Sequence, residues 1–157
     1  MYVSEIMTSK VASCVETETL ADAARLMAEV DCGIVPVVSQ AASCRLIGVV
    51  TDRDICMAAY RTGKPLAEIR IHDAMTAPVR TCDAGASASE AEYVMRDAGV
   101  RRLPVVDERG ALIGIVSLAD LAREAQHERH LSQPEVDRIE IGATLAAICA
   151  PRTNSRV

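Results

Sequence analysis

The sequence predicts an α/β protein of the mixed α+β type, built from two tandem β-α-β-β-α repeats packed with pseudo-two-fold symmetry. One motif carries this prediction because it occurs twice, as GVVTDRD at 48–54 and as GIVSLAD at 114–120. Each copy has a glycine, two β-branched residues, a hydroxyl residue and, three positions later, an aspartate. A second pair of matching segments, IVPVV at 34–38 and RLPVV at 102–106, precedes the motif in each half. This duplication indicates an internal repeat.

The elements of each repeat follow from capping patterns and apolar periodicity. The segments 19–22 and 87–90 are capping boxes that begin a helix, and we expect Gly33 and Gly99 to end these helices. The apolar residues recur at helical spacing. They are Leu20, Ala23, Ala24, Met27 and Val30 in the first helix and Ala91, Val94, Met95 and Ala98 in the second. The first strand should run parallel to the second, which should form a hairpin with the strand of the motif.

The spacing between matching residues indicates where the repeats begin and end. Thr8 and Thr76 are 68 residues apart, whereas Gly48 and Gly114 are 66 apart. The change falls in a turn between strands, where a shorter loop is tolerated. We assign repeat 1 to residues 1–64, a linker to 65–73, repeat 2 to 74–130 and a helical tail to 131–157.

The tail has no counterpart in the first repeat. The segment 132–135 has the pattern of a third capping box. The helix that follows should present one apolar stripe, formed by Val136, Ile139, Ala143, Ala146 and Ile148. Because this stripe and the helices that close each repeat exceed what one small chain can cover, we expect a homodimer.

Composition limits the classes of protein to which the chain can belong. Half of the 157 residues are apolar, but they include no Phe or Trp, so the core must be aliphatic with some Met. Few aromatic rings and a net charge of −5 argue against nucleic-acid binding. No apolar run reaches the about 18 residues of a membrane helix, and the first residues lack a signal-peptide pattern. We expect a cytoplasmic protein that does not bind membranes.

The cysteines and histidines do not follow a metal-binding pattern. None of the six Cys forms a C-x-x-C pair, and His127 and His130 are one residue short of the H-E-x-x-H spacing. We therefore predict no metal site. In a reducing compartment the cysteines are most simply small buried apolar residues, and a redox-active thiol protein is a less favoured alternative.

The hydroxyl-and-aspartate motif allows two interpretations. In the structural one, Thr51 and Ser117 cap helices, with Asp54 and Asp120 in the first turn, and no ligand is involved. In the functional one, a strand that leads into a helix N-terminus holds a phosphorylated or ribose-bearing ligand. A carboxylate can accept both ribose hydroxyls.

Taken together, the Met-Thr segment, the x-Pro-Val-Val strand and the G-h-h-[ST]-x-x-D motif, in this order and twice, resemble the cystathionine β-synthase (CBS) domain. The resemblance covers about residues 1–125 and corresponds to a stand-alone tandem pair, called a Bateman module. It implies a non-catalytic sensor that binds an adenosyl ligand in clefts between the repeats and passes its occupancy to a partner protein. The ligands of such modules include AMP, ADP, ATP, NAD and S-adenosylmethionine.

The resemblance also implies site residues, because the motif aspartate of such modules holds the ribose. The base lies near the first strand and near the residues before x-Pro-Val of the other repeat. The first cleft would contain Thr51, Arg53, Asp54, Thr76, Thr81, Val100, Arg101 and Arg102. The second would contain Thr8, Ser13, Cys32, Gly33, Ile34, Ser117 and Asp120. Since guanidinium groups suit phosphate, we expect AMP or ADP to favour the first cleft.

The chain has no recognisable nucleophile–base pair and no glycine-rich phosphate loop, so we do not expect an enzyme. The alternative function is a structural dimerisation or scaffold module with degenerate clefts. The presence of both motif aspartates argues against this alternative.

Overall fold

The structure is a computed structural model that describes residues 1–40, 44–128 and 136–150. Both repeats have the order β-α-β-β-α, which confirms the predicted fold class. The first repeat contains β1 (Cys14–Val15), α2 (Leu20–Glu29), β2 (Ile34–Val38), β3 (Leu46–Thr51) and α3 (Asp52–Thr62), preceded by the short helix α1 (Val3–Ile6). The second contains β4 (Cys82–Asp83), α4 (Ala88–Ala98), β5 (Arg102–Val106), β6 (Leu112–Ser117) and α5 (Leu118–His127), followed by α6 (Arg138–Cys149).

Each repeat forms a three-stranded sheet whose strands keep their sequence order. In the first sheet β1 is parallel to β2, and β2 is antiparallel to β3, as predicted. Ile34 pairs with Thr51 in this sheet. The start of β2 therefore lies beside the end of β3, where the motif begins.

The chain forms two compact units, and each unit contains a segment that precedes the first strand of the other repeat. The Asp54 unit contains the described residues of Lys10–Val79 together with Val106–Ile113. The Asp120 unit contains Met1–Ser9, Arg80–Val105 and the described residues from Gly114 onward. The N-terminal segment therefore packs with the second repeat, and the segment before β4 packs with the first.

The core of the Asp54 unit explains why the linker stays with the first repeat. Two 3-10 helices, Leu66–Glu68 and Ile71–Asp73, follow α3. Ile69 and Ile71 are buried against the aliphatic side chains of α2, β2 and β3. The backbone of Leu20 donates a 2.9 Å hydrogen bond to Ile69, so the linker is held by both its side chains and its backbone.

The first helix of repeat 1 ends earlier than we expected. α4 ends as predicted, with Gly99 in the left-handed conformation. α2 ends at Glu29, however, and the left-handed residue is Asp31 (φ 50°) rather than Gly33. Aspartate tolerates this conformation better than most residues. Because the helix stops there, Val30 is 48% exposed, and the prediction that it is buried was wrong.

α6 packs against α4 and α5, and the predicted stripe describes its packed face only in part. Its fully buried residue is Thr144, and Ile141 and Ile148 lie on the same face, three and four positions away. Ile139 is 81% exposed. Within the helix the predicted stripe was right for Ile148 and wrong for the other three residues, Ile139, Ala143 and Ala146, which are exposed. Apolar residues occur on every side of α6, so periodicity did not identify the packed face.

The residues just before α6 were predicted in part. Val136 is buried, as expected. The N-cap of α6 is Asp137, whose carboxylate accepts a hydrogen bond from the backbone of Ile139. The predicted capping box at 132–135 lies outside the described residues.

Two of the six cysteines are buried, Cys32 is half-buried and three are exposed, and none forms a disulfide. Cys14 and Cys82, which occupy matching positions of the two repeats, are buried, and burial raises their pKa values to about 12 and about 11. The expectation of buried cysteines was wrong for three others, which are exposed: Cys44, Cys56 and Cys149.

Candidate functional site

The first copy of the motif forms the turn from β3 into α3. Thr51 is the N-cap, and its Oγ1 accepts a 3.2 Å hydrogen bond from the backbone of Asp54. Asp54 Oδ2 accepts two hydrogen bonds in return, from Thr51 Oγ1 at 2.7 Å and from the Thr51 backbone at 2.9 Å. Among the described residues, Asp54 Oδ1 has no hydrogen-bond partner. The carboxylate thus caps the helix with one oxygen and leaves the other unengaged.

The second copy repeats the cap but engages both oxygens of its aspartate. Ser117 Oγ and the Ser117 backbone donate to Asp120 Oδ2 at 2.5 Å and 2.8 Å. Asp120 Oδ1 pairs with Nη2 of Arg123, one helical turn further along α5. The side chain of Asp120 is 12% exposed and that of Arg123 is 67% exposed. The two motifs therefore differ at the oxygen that the cap does not use.

The Met-Thr segments lie along the motif strands, each paired with the motif of its own unit. The backbones of Thr76 and Val49 exchange hydrogen bonds of 2.8 Å and 3.1 Å in the Asp54 unit. Thr8 and Ile115 exchange bonds of 2.9 Å and 3.0 Å in the Asp120 unit. The structure thus brings Thr76 to the Thr51 motif and Thr8 to the Ser117 motif, in the groups that the resemblance implied.

The motif glycines allow these segments to approach. A Cβ atom placed on Gly48 would lie 2.6 Å from Met75 Sδ and 3.2 Å from a backbone oxygen. At Gly114 the corresponding distance to Met7 Sδ is 2.5 Å. A side chain at either position would therefore clash with the Met-Thr segment. Sequence reasoning missed this contact, although the repeated Met-Thr and the repeated glycine were its signals.

The segment before each x-Pro-Val strand lies beside the motif of its own repeat. The backbone of Asp52 donates to the carbonyl of Gly33 at 3.2 Å, and that of Leu118 donates to Arg101 at 2.9 Å. A Cβ atom on Gly33 would be 3.0 Å from Asp52 Oδ2, so the glycine gives this carboxylate room. Within the units, Gly33 thus neighbours the Thr51 motif and Arg101 the Ser117 motif, whereas the resemblance grouped each with the other motif.

The remaining predicted residues flank the strands. Cys32 Sγ donates a 3.1 Å hydrogen bond to the carbonyl of Ile34, and both residues are half-buried in the Asp54 unit. Ser13, exposed, precedes β1 in this unit. The others belong to the Asp120 unit, where Thr81 and Val100 are half-buried and Arg102 is exposed.

A pocket of about 500 Å³ lies within the Asp54 unit, between α3 and the segment that follows it. Its charged wall has three cationic and three acidic side chains, Arg53, Arg61, Lys64, Asp54, Glu68 and Asp73. Its other lining residues are Met57, Ala58, Thr62, Ile69, Ala74 and Met75. A mixed lining of this kind suits a small ligand that has both apolar and polar parts. Of these lining residues we predicted only Arg53 and Asp54, because the position of the linker depends on tertiary packing.

The part of the chain that the structure describes contains no cluster of three His, Cys, Asp or Glu side chains placed to hold a metal ion. None of its helices combines the length and the apolar character needed to cross a bilayer.

Comparison with known proteins shows similarity to CBS-domain proteins. Hypoxic response protein 1 of Mycobacterium tuberculosis is 34% identical over 147 residues, which are 94% of this chain and 93% of that protein. A crystal structure of hypoxic response protein I, with two coordinated zinc ions, matches with a TM-score of 0.71 and 36% identity, over 78% of this chain and 98% of that one.

Two further matches extend this similarity. Uncharacterized protein MK0525 of Methanopyrus kandleri is 36% identical over 119 residues, which are 76% of this chain but 60% of that protein, so this chain spans less than two thirds of that relative. The crystal structure of the CBS domain pair of protein MJ0100, in complex with 5′-methylthioadenosine and S-adenosylmethionine, has the same fold. Its TM-score is 0.69 at 23% identity, over 78% of this chain and 98% of that one.

The family model of the CBS domain matches twice, over residues 3–61 and 69–127. Each match contains one β-α-β-β-α repeat with its motif. The chain belongs to the CBS-domain family and carries two CBS domains in tandem.

Proposed function

We propose that this CBS pair is a non-catalytic regulatory module that binds an adenosyl ligand and passes its occupancy to a partner protein. The observation that carries the proposal is the unengaged Oδ1 of Asp54, at the edge of the 500 Å³ pocket. An ionised carboxylate oxygen has two acceptor positions, which match the two hydroxyls of a ribose. The adenosyl compounds bound to the CBS pair of MJ0100 support this class of ligand.

In this proposal the ligand is AMP, ADP, ATP, NAD or S-adenosylmethionine. Asp54 accepts the ribose hydroxyls, and Thr51 fixes the orientation of that carboxylate through the cap. Arg53 stands beside it and supplies a donor to phosphate. Ser117 and Asp120 are the matching candidates in the other unit, with Thr8. The remaining predicted residues stay candidates for contacts to the base and the phosphate: Ser13, Cys32, Gly33, Ile34, Thr76, Thr81, Val100, Arg101 and Arg102.

Thermal unfolding with and without the five adenosyl compounds tests the proposal. A ligand at 100 times its Kd stabilises the folded state by about 2.7 kcal/mol, so a binding compound should raise Tm clearly. Asp54→Ala should reduce this rise. Glu29→Ala, a change at an exposed residue of α2 that is not a candidate ligand residue, is the control and should leave it intact. If no compound raises Tm at millimolar concentration, the proposal is contradicted and the scaffold function is favoured instead.

We also propose that the chain forms a homodimer, which is compatible with either the sensor or the scaffold function. Large apolar side chains remain exposed on the chain, notably Ile139 and Leu145 of α6 and Tyr60 of α3. Burying such residues between two copies is a common solution for soluble proteins. Sedimentation of a monomer at tens of micromolar would contradict this.

The thiols support a cytoplasmic location. All six cysteines are free, and a reducing compartment keeps them so. Intact-mass measurement of protein whose thiols are blocked in denaturant at the moment of lysis should find six blocked cysteines, and any disulfide would count against this location.

A further inference from the structure

Three capping boxes of the chain contain an aspartate in the same local geometry, and this allows a direct comparison. In each box Oδ2 accepts from the backbone and from the hydroxyl of the N-cap residue. The boxes end in Asp22, Asp54 and Asp120. Asp22 lies in the first turn of α2 and is not a candidate ligand residue. It therefore shows how such a box is completed when it serves only as a cap.

The boxes differ at Oδ1. Asp22 Oδ1 accepts a hydrogen bond from Arg25 Nη2 at 3.1 Å, and Asp120 Oδ1 pairs with Arg123. Both arginines stand three residues after their aspartate, a spacing that places two side chains on the same helix face. The residue at this position after Asp54 is Met57, which has no donor. Asp54 is thus the one of the three aspartates without a cationic partner among the described residues.

Asp54, whose Oδ1 has no hydrogen-bond partner among the described residues, is one of the residues that line the pocket. Asp54 and Met57 both line the 500 Å³ pocket of the Asp54 unit. An arginine at position 57 would therefore bring its guanidinium into the pocket wall, beside the carboxylate. A thioether there forms no ion pair with the carboxylate.

We infer that Arg123 closes the Asp120 motif to a ribose and that Met57 keeps the Asp54 motif open. The residue three positions after the motif aspartate would then decide which copy holds the adenosyl ligand. This inference rests on the proposed function, because it assumes that the motif aspartate binds the ribose.

The size of the effect follows from the acceptor positions. A ribose hydroxyl at Asp120 must replace the guanidinium or forgo a hydrogen bond to a charged oxygen. A hydrogen bond to a charged group is worth about a factor of ten or more in affinity. Replacing the guanidinium costs less, up to about fivefold, because Arg123 is largely exposed. Because the less costly of these two outcomes sets the affinity, we expect AMP to bind the Asp120 motif up to about fivefold more weakly than the Asp54 motif.

Calorimetry of the full chain with AMP and, in parallel, with S-adenosylmethionine tests this inference. Met57→Arg should weaken the tighter site by up to about fivefold. Arg123→Met should strengthen the weaker site by a similar factor, so that the Kd values of the two sites come closer together than in the wild type. Arg25→Met is the matched control. It removes the same kind of ion pair from the Asp22 box and should change neither site.

A comparison of AMP with 2′-deoxy-AMP separates a local effect from destabilisation. Met57→Arg should lower the preference for AMP over the deoxy compound, whereas a variant that only loosens the fold would weaken both equally. If the wild type binds AMP or S-adenosylmethionine and neither Met57→Arg nor Arg123→Met changes a site, the inference is overturned and the proposed function stands. If the wild type and Arg123→Met bind neither compound, both are overturned.

Discussion

The two repeats share a fold and a motif, but their first long helices meet different surroundings. In α4, Glu92 is 4% exposed, and its Oε1 accepts a 2.6 Å hydrogen bond from Thr144 Oγ1 of α6. The matching residue of α2 is Ala24, which packs against the core of the Asp54 unit. A second buried link joins the segments around α6, from the backbone of Val136 to Glu128 Oε2 at 3.0 Å. Among the described residues, the two glutamates that are buried as whole side chains thus both lie in the second repeat.

This difference explains why α6 packs on the second repeat. A carboxyl that leaves water without a hydrogen-bond partner costs several kcal/mol, so Glu92 on α4 requires a donor opposite it. Thr144 supplies that donor from α6. Ala24, at the matching position of α2, has no polar side-chain atom and needs no donor. The repeated residues therefore specify caps and close backbone contacts, whereas the unrepeated polar residues distinguish one repeat from the other.

The largest effect that we predict concerns Cys14 and Cys82, where the repeats should behave alike. Both thiols are buried and their pKa values are raised, so the reactive thiolate is scarce at pH 8. We expect a thiol reagent such as DTNB to modify the exposed Cys44, Cys56 and Cys149 at least about a hundredfold faster.

Peptide mapping after timed labelling identifies the modified residues, and labelling in denaturant is the control, since it should remove the difference. Rapid labelling of Cys82 but not of Cys14 would show that the second repeat opens more readily than the first.

The next effect concerns the buried Glu92 of the second repeat. Thr144→Val keeps the volume of the side chain but removes the donor to Glu92. We expect it to lower the free energy of unfolding by about 1–3 kcal/mol, since a buried acceptor loses its partner. Urea unfolding measures the loss. Thr144→Ser keeps the hydroxyl and should cost less, so equal losses for the two variants would show that the hydrogen bond contributes little.

A smaller effect should appear in both repeats at the motif glycines. Gly48→Ala and Gly114→Ala place a Cβ atom against a flexible Met side chain and 3.2 Å from a backbone oxygen. The Met can move but the backbone cannot move easily, so we expect each variant to lose about 1–2 kcal/mol. Urea unfolding of the two variants gives the comparison. Gly85→Ala is the control, because a Cβ atom there meets nothing within 4 Å. A large loss at one motif glycine alone would mean that the Met-Thr segments differ in strength.

Much of this fold could be predicted because its signals are local and occur twice. Capping boxes, β-branched strands and the Pro-Val segments gave the element order. The features that were missed depend on tertiary contacts. No periodicity distinguished Thr144 from Ile139 as the packed residue of α6, because both faces of that helix carry apolar side chains.

The candidate site could be predicted in part. The caps at Thr51 and Ser117 were visible in the sequence, and Thr76 and Thr8 lie beside them as expected. The difference between Asp54 and Asp120 was missed, although the Asp-x-x-Arg spacing at Asp120 was its signal. Arg123 became important only when the structure showed which carboxylate oxygen the cap leaves unengaged.

The smallest predicted effect compares the matching capping boxes of α2 and α4 at acid pH. The pKa of Asp22 is lowered mainly by the hydrogen bond from the Thr19 hydroxyl, and that of Glu90 mainly by the bond from the Ser87 backbone. A lowered pKa in the folded state means that the unfolded state binds more protons. These caps therefore stabilise the fold fully above about pH 4.5, and their contribution is lost as the pH falls through the lowered values.

Thr19→Ala removes the main cause at Asp22, whereas Ser87→Ala leaves the main cause at Glu90 in place. We expect Thr19→Ala to flatten the loss of stability below pH 4.5 more than Ser87→Ala does, although both variants are less stable than the wild type at pH 7. Urea unfolding between pH 3 and pH 7 measures the slopes. Equal acid losses in Thr19→Ala and Ser87→Ala would mean that the backbone donor, rather than the hydroxyl, controls both caps.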